Sequence, residues 1–138
     1  MSTFLIGSKP LTLSVLQEII DSNSCIGLSE QSVQNIIRCR KFLDDKIKRS
    51  EAPIYGINTG FGSLQNVEIN SEDLSQLQHN LLLSHACGTG ELVPVDMVKL
   101  MLILKVQSLS YGNSGIALDT VERLISFYNN QMYPVIYT

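Results

Sequence analysis

The amino-acid sequence predicts a mainly α-helical domain with a small β-hairpin near its amino terminus. Apolar residues recur at the three- and four-residue spacing of helices in several segments of the 138-residue chain, and glycine, proline and helix-capping residues separate those segments. Hydrophobic residues make up 44% of the chain and charged residues 17%, which indicates a globular protein and argues against intrinsic disorder. A chain of this length is sufficient for one hydrophobic core.

The first predicted elements are the hairpin and two helices. Thr3–Ile6 and Leu11–Leu13 are mostly apolar runs separated by a glycine and a proline, which favours a hairpin. A capping box that begins at Ser14 predicts the first helix, and Cys25–Leu28 is the break that follows it. Ser29 is placed to cap the second helix. The apolar stripe of that helix consists of Val33, Ile36, Ile37, Leu43 and Ile47.

A third helix is predicted to begin after Asn70 or Ser71, either of which has a side chain that can cap it. Its apolar face consists of Leu74, Leu77 and Leu81. A further step of four residues places His85 on the same face, one turn before a helix end near Gly88. His79 lies on another face, where we expect it to be exposed.

Two further helices are predicted in the last third of the chain. Met97–Leu109 is apolar on nearly every side, which indicates a helix that is buried all round and needs cover from outside this chain. Asp119 opens the last helix. The inward residues of that helix are Val121, Leu124, Ile125 and Tyr128.

Charge and cysteine content exclude several classes of function. The net charge is −3 and no basic block is present, which argues against nucleic acid as the main partner. No segment approaches the roughly 20 apolar residues of a membrane span, and we expect no signal peptide because the first residues lack a basic region. The three cysteines, Cys25, Cys39 and Cys87, are widely spaced, so we expect reduced thiols in a cytoplasmic protein without a metal site.

Residues 55–62 read Tyr-Gly-Ile-Asn-Thr-Gly-Phe-Gly and place a phenol, an amide and a hydroxyl among three glycines. Loops of this kind on a rigid scaffold commonly carry function. The segment is not a phosphate-binding loop, because no lysine follows a glycine and the third glycine of a dinucleotide fingerprint is missing. The alternative interpretation is a tight connection between helices, in which Tyr55 and Phe61 are core anchors.

A second motif, Asn-Leu-Leu-Leu-Ser-His-Ala-Cys-Gly-Thr-Gly, occupies residues 80–90. The two motifs, in this order, closely resemble the amino-terminal part of the histidine ammonia-lyases, a branch of the aromatic amino acid ammonia-lyase family. The resemblance extends from the Thr3–Leu13 stretch to Tyr133-Pro134. It implies that the chain forms the amino-terminal helical part of the ammonia-lyase fold.

The resemblance also implies an activity, the non-oxidative elimination of ammonia from L-histidine to urocanate in histidine catabolism. The family uses a base and an electrophile, the methylidene-imidazolone cofactor that forms from an internal Ala-Ser-Gly, and its sites are shared within a homotetramer. Tyr55 matches the catalytic tyrosine of the family and is the expected base. Because a phenol is a weak acid, the site would have to stabilise its phenolate form. His85 is the second expected catalytic residue.

Three more residues are expected to bind substrate by this resemblance: Asn58, Gly62 and Ser84. The pair Ser84-His85 is usual in histidine lyases, whereas relatives that prefer phenylalanine or tyrosine often carry Phe-Leu or His-Leu. A polar partner in an apolar pocket suits an imidazole substrate. Some tyrosine-preferring relatives also carry Ser-His, so a tyrosine or phenylalanine ammonia-lyase is the alternative. From residue type alone a core histidine is the commoner answer for His85, and the family resemblance reverses that preference.

The sequence departs from the family in one large respect, because it contains no Ala-Ser-Gly. In the family this tripeptide follows shortly after the segment that Tyr133-Pro134 matches, and the chain ends at Thr138. We therefore expect residues 1–138 to be one domain from the amino-terminal part of a lyase, truncated before the electrophile and inactive by itself. A non-catalytic helical module that binds a small molecule or a partner is the alternative from a different class.

Overall fold

The structure is a computed structural model that describes residues 3–49, 54–64, 67, 69 and 72–138. The elements in chain order are β1 (Thr3–Ile6), α1 (Leu13–Asp21), β2 (Cys25–Leu28), α2 (Glu30–Arg49), a 3-10 turn (Gly62–Leu64), α3 (Leu74–His85), α4 (Val95–Ser110) and α5 (Leu118–Asn129). The prediction of a mainly α fold is confirmed. The chain divides into a first unit, Met1–Lys48 with Leu92–Ile136, and a second unit, Arg49–Glu91 with Tyr137–Thr138.

The two strands of the first unit form a parallel pair, with Phe4 opposite Ile26. The predicted hairpin is therefore wrong in its pairing. Thr3–Ile6 is a strand, but Leu11–Leu13 does not pair with it, because Leu13 already begins α1. Parallel strands need a crossover connection, and α1 provides it. The partner strand is Cys25–Leu28, the segment predicted only as a break between helices.

Side-chain hydroxyls cap the first two helices. Thr12 caps α1, because its Oγ1 accepts a hydrogen bond from the Val15 N–H at 3.3 Å. The predicted cap at Ser14 is therefore two residues too late. The prediction for α2 is confirmed, since the Oγ of Ser29 accepts a hydrogen bond from the Ser32 N–H at 3.2 Å.

The hydrophobic core of the first unit draws side chains from both strands and from α1, α2, α4 and α5. Its buried members are Ile6, Leu16, Ile19, Ile26, Ile36, Leu102, Ile103, Val106, Leu109, Val121 and Tyr128. The predicted inward face of α5 is confirmed, with Val121 and Tyr128 buried and Leu124 and Ile125 partly buried. In α2 the predicted stripe is only partly inward, because Ile37 and Ile47 are exposed.

Helix α4 is covered on one side only within the described residues. Met97, Met101 and Leu104 are 54%, 49% and 49% exposed and lie on the face opposite the buried residues. Their spacing of four and three places them along one stripe of the helix. The sequence predicts burial on every side of α4. The structure buries the face towards the core and leaves the opposite face as an exposed apolar surface.

The side chain of Asn129, at the end of α5, pairs with the open edge of β2. Its Oδ1 accepts a hydrogen bond from the Ile26 N–H and its Nδ2 donates one to the Ile26 carbonyl oxygen, both at 2.9 Å. Strand β1 occupies the opposite edge of β2. Because Ile26 is only 1% exposed, water has little access to these backbone groups. The amide takes the place that a third strand would otherwise fill.

Replacing Asn129 should therefore destabilise the first unit strongly. We expect Asn129→Ala to lower the free energy of unfolding by about 2–4 kcal/mol, because two shielded backbone groups lose their partners. Urea unfolding followed by circular dichroism measures the change. Asn130→Ala is the matched control, since the Asn130 amide bonds to Ser126 at an exposed position. If the two substitutions lowered the free energy of unfolding equally, the role given to Asn129 would be contradicted.

The phenol of Tyr128 lies in the core beside Tyr133, with the two rings edge to face and their centroids 6.3 Å apart. Burial raises the pKa of Tyr128, and the neighbouring Tyr133 and Cys25 raise it further. The unfolded chain therefore loses this proton at a lower pH than the folded chain. The contribution of Tyr128 to the free energy of unfolding should therefore be fully present below about pH 10, the ordinary pKa of a tyrosine, and should be lost as the pH rises above it.

This pH dependence can be assigned to one residue by substitution. In Tyr128→Phe we expect a smaller loss of melting temperature between about pH 9 and pH 11 than in the unsubstituted chain, because the residue no longer ionises in the unfolded state. Tyr111→Phe, at an exposed position, is the control and should retain the full alkaline loss. Equal slopes for all three proteins would show that Tyr128 does not cause the dependence.

Candidate functional site

The glycine-rich loop of the second unit is closed by its own side chains. The Oδ1 of Asn58 accepts a hydrogen bond from the Ile54 N–H at 2.6 Å. The Oγ1 of Thr59 accepts one from the Gly56 N–H at 3.2 Å and donates one to the Gly60 carbonyl oxygen at 3.0 Å. Thr59 is only 1% exposed, so its bonds are protected from water. The loop is thus a defined turn held by two short polar side chains.

Backbone hydrogen bonds join the same loop to Val67 and Ile69. The Gly60 N–H donates to the Val67 carbonyl oxygen at 3.0 Å, and the Ile69 N–H donates to the Asn58 carbonyl oxygen at 2.9 Å. Gly56 has a φ of +72°, a conformation that favours glycine. Main-chain contacts at Asn58 and Gly60 therefore hold the second half of the loop.

The closed loop leaves the side chain of Tyr55 on its outside. Tyr55 is 62% exposed, whereas the neighbouring Phe61 is partly buried. The two rings meet edge to face with centroids 6.1 Å apart. The alternative in which Tyr55 is a core anchor is therefore wrong, and the phenol is available to a ligand.

Helix α3 carries the second predicted side chain. Leu74, Leu77 and Leu81 are its partly buried residues, as the spacing predicts. The helix begins at Leu74 and ends at His85, three residues before the predicted end near Gly88. The predicted caps lie outside the described residues. Both histidines of the chain, His85 and His79, are exposed.

An open cavity of about 640 Å³ lies between the loop and the end of α3. The residues that line it are Tyr55, Phe61, Leu81, Leu82, His85 and Ala86. A phenol on the loop side and an imidazole on the helix side are thus set among apolar side chains. Apolar walls with a few polar groups are typical of sites for small molecules.

The fold brings Tyr55 and His85 to one cavity, but the other predicted site residues do not line it. Asn58, Gly62 and Ser84 are not among the residues that line the cavity. Asn58 is engaged in closing the loop, and Gly62 is exposed with a φ of +57°. Their expected role in substrate binding stays a prediction. Thr59 has the most buried polar side chain of the loop. The sequence does not predict this burial, because a threonine among glycines is as common on exposed loops.

The end of α3 holds the His85 ring through one of its nitrogens. Nδ1 lies 2.9 Å from the Leu81 carbonyl oxygen and 2.9 Å from the Ser84 Oγ. The Ser84 hydroxyl also donates to the Leu81 carbonyl oxygen at 2.9 Å. The three groups form a closed triangle of polar contacts on the last turn of the helix. The other ring nitrogen, Nε2, has no partner in the part of the chain that the structure describes.

Ala-Ser-Gly, the tripeptide that the resemblance implies as the source of the electrophile, does not occur in residues 1–138. A methylidene-imidazolone needs Ala-Ser-Gly. The most similar tripeptide near the cavity, Ala86-Cys87-Gly88, has a cysteine in place of the serine. The Sγ of Cys87 instead contacts the Ser84 carbonyl oxygen at 3.9 Å. No three His, Cys, Asp or Glu side chains among the described residues are grouped to hold a metal ion. No helix of the described ranges is long and apolar enough to cross a membrane.

Comparisons with known proteins identify relatives of this chain. The aromatic amino acid lyase family matches residues 11–138. The histidine ammonia-lyase of Legionella pneumophila is 42% identical over 133 residues, which are 96% of this chain and 26% of that protein. The crystal structure of histidine ammonia-lyase from Trypanosoma cruzi matches with a TM-score of 0.77 at 34% identity, over 94% of this chain and 25% of that one.

A third match concerns the fold alone. The crystal structure of ergothionase from Treponema denticola matches with a TM-score of 0.90 at 24% identity, over 99% of this chain and 27% of that one. The fold predicted from the two motifs is thus confirmed. The chain spans about a quarter of the length of the relatives it matches.

Proposed function

This chain belongs to the aromatic amino acid lyase family, and on that premise we propose that it is the amino-terminal portion of a histidine ammonia-lyase. The reaction is the elimination of ammonia from L-histidine to urocanate, in a cytoplasmic enzyme of histidine catabolism. One observation carries the proposal: two side chains 30 positions apart, the Tyr55 phenol and the His85 imidazole, line the same apolar cavity.

Tyr55 is the proposed base that removes the β-proton of the substrate. The closed loop fixes its backbone, and the edge-to-face contact with Phe61 limits the positions of its ring. A base acts only when it is held within hydrogen-bond reach of the proton that it accepts. Because the phenol is exposed in this chain, the groups that stabilise its phenolate form would have to come from other parts of the enzyme.

His85 is the proposed partner of the substrate side chain. Its ring lies among Leu81, Leu82 and Ala86, so a ligand ring in the cavity would meet apolar surface and one polar atom. Such a site favours an imidazole over a ring without polar atoms, since an unmatched polar group in an apolar pocket lowers affinity. Tyrosine is the rival substrate, because its hydroxyl could also pair with His85.

The remaining parts of the site are proposed to lie outside residues 1–138. The methylidene-imidazolone supplies the electrophile in this family and requires an Ala-Ser-Gly, which these residues lack. We therefore propose that the 138-residue chain is inactive alone and that other segments, including those of other subunits in a homotetramer, complete the site. The exposed apolar stripe of α4 supports this view, since such a surface is typical of a protein interface.

A chimera tests the proposed role of Tyr55. In it, this chain replaces the aligned amino-terminal quarter of the Legionella pneumophila enzyme, and urocanate formation is followed by its ultraviolet absorbance. We expect the chimera to turn over histidine, the isolated 138-residue chain to show no turnover, and Tyr55→Phe to lower kcat by a factor of about 10²–10⁴ because the base is lost.

The control for this substitution is Tyr111→Phe, which removes another exposed phenol outside the cavity and should leave kcat unchanged. An assembled chimera without histidine turnover would contradict the lyase proposal and favour the non-catalytic binding module. Turnover that survives Tyr55→Phe would refute the role of Tyr55 alone.

Substrate choice tests the role of His85 in the same chimera. We expect His85→Leu to lower kcat/KM for histidine by a factor of about 10–100, the effect of losing one hydrogen bond in an apolar site, and to change turnover of phenylalanine less. His79→Leu, an exposed histidine on the same helix, is the control. A chimera that prefers tyrosine, or one in which His85→Leu leaves histidine turnover intact, would contradict this assignment.

A further inference from the structure

The polar triangle at the end of α3 determines which nitrogen of His85 carries the proton. The Leu81 carbonyl oxygen lies 2.9 Å from the Ser84 Oγ and can only accept hydrogen bonds. That oxygen has no proton to give, yet it lies 2.9 Å from Nδ1 of His85. An unprotonated Nδ1 would place its lone pair against the lone pairs of the carbonyl. The contact is therefore favourable only when Nδ1 carries a proton.

The oxygen of Ser84 completes the arrangement. A protonated Nδ1 cannot accept from Ser84, so the serine hydroxyl donates to the Leu81 carbonyl oxygen and its lone pairs accept from Nδ1 at 2.9 Å. The Nδ1 proton is then shared between two acceptors, and the serine serves as donor and acceptor at once. Chains of hydrogen bonds of this kind reinforce one another.

We propose that Ser84 is a positioning residue that, together with the Leu81 carbonyl, holds the neutral His85 ring in the Nδ1-protonated tautomer. Nε2 then keeps its lone pair, on the side of the ring away from the helix turn. His85 lines the cavity, and within the described residues Nε2 has no other partner. The histidine thus presents a hydrogen-bond acceptor, and not a donor, to whatever ring enters.

With an acceptor at Nε2, the cavity favours rings that carry a hydrogen-bond donor. This consequence rests on the proposed function. A ring that donates an N–H or an O–H, such as an imidazole or a phenol, satisfies Nε2. A phenyl ring cannot, and it would leave the acceptor unpaired. Ser84 acts through His85 and is not among the residues that line the cavity.

Nitrogen-15 NMR of the imidazole side chains measures the tautomer directly, without substrate or activity. In the 138-residue chain at alkaline pH, where imidazoles are neutral, we expect His85 to show a protonated Nδ1 and an unprotonated Nε2. His79 is the internal reference, because it is exposed on the same helix and has no partner for its ring in the described part of the chain. It should show the ordinary mixture of an imidazole in water.

Three variants separate the role of Ser84 from general effects on the helix. Ser84→Ala should shift the His85 signals towards those of His79, and Ser84→Thr, which keeps the hydroxyl, should restore the original pattern. Ser75→Ala, at an exposed position on the same helix, should change nothing. A His85 ring that matches His79 in the unsubstituted chain would overturn the tautomer assignment. A ring that stays as fully Nδ1-protonated in Ser84→Ala as in the unsubstituted chain would overturn the positioning role of Ser84.

Kinetics in the chimera provide an independent readout. We expect Ser84→Ala to raise KM for histidine about three- to tenfold with little change in kcat, the effect of losing one neutral hydrogen bond in ground-state binding, and Ser84→Thr to recover the original KM. An unchanged KM would contradict the positioning role. A chimera without any turnover would count against the proposed lyase function, whereas the NMR result would still decide the tautomer.

Discussion

The hydrogen bonds that Asn58 and Thr59 make within the glycine-rich loop determine the rest of the site. Asn58 binds the Ile54 N–H and Thr59 the Gly56 N–H, so the chain between them turns back on itself. With these polar groups satisfied inside the loop, Tyr55 is left on its outer side. A loop closed by its own side chains can hold a reactive group without the support of a bound ligand.

The opposite side of the cavity depends on where α3 ends. Helix termination at His85 places the imidazole on the last turn, where the Leu81 carbonyl and the Ser84 hydroxyl can reach one ring nitrogen. The same residue type on the middle of the helix, His79, has no such contacts in the described residues. Two histidines on one helix therefore differ in chemistry because of local backbone position and not because of burial.

Sequence patterns predicted those parts of the fold that depend on helical periodicity or on the motifs. The inward faces of α3 and α5 and the cap at Ser29 follow from residue spacing and hydroxyl chemistry. The parallel pairing of Thr3–Ile6 with Cys25–Leu28 did not, because strand partners are chosen by tertiary contacts such as the Asn129 amide on Ile26. The loop-closing role of Asn58 was not predicted either, because an asparagine among glycines suits ligand binding as well as a local hydrogen bond to the backbone.

The most direct test of this account is a crystal structure of the chimera with bound urocanate. We expect the imidazole of the product to lie in the cavity, with a ring nitrogen within hydrogen-bond distance of Nε2 of His85 and the Tyr55 hydroxyl next to the former β-carbon. Urocanate bound away from these two residues, in a chimera that is active, would contradict it.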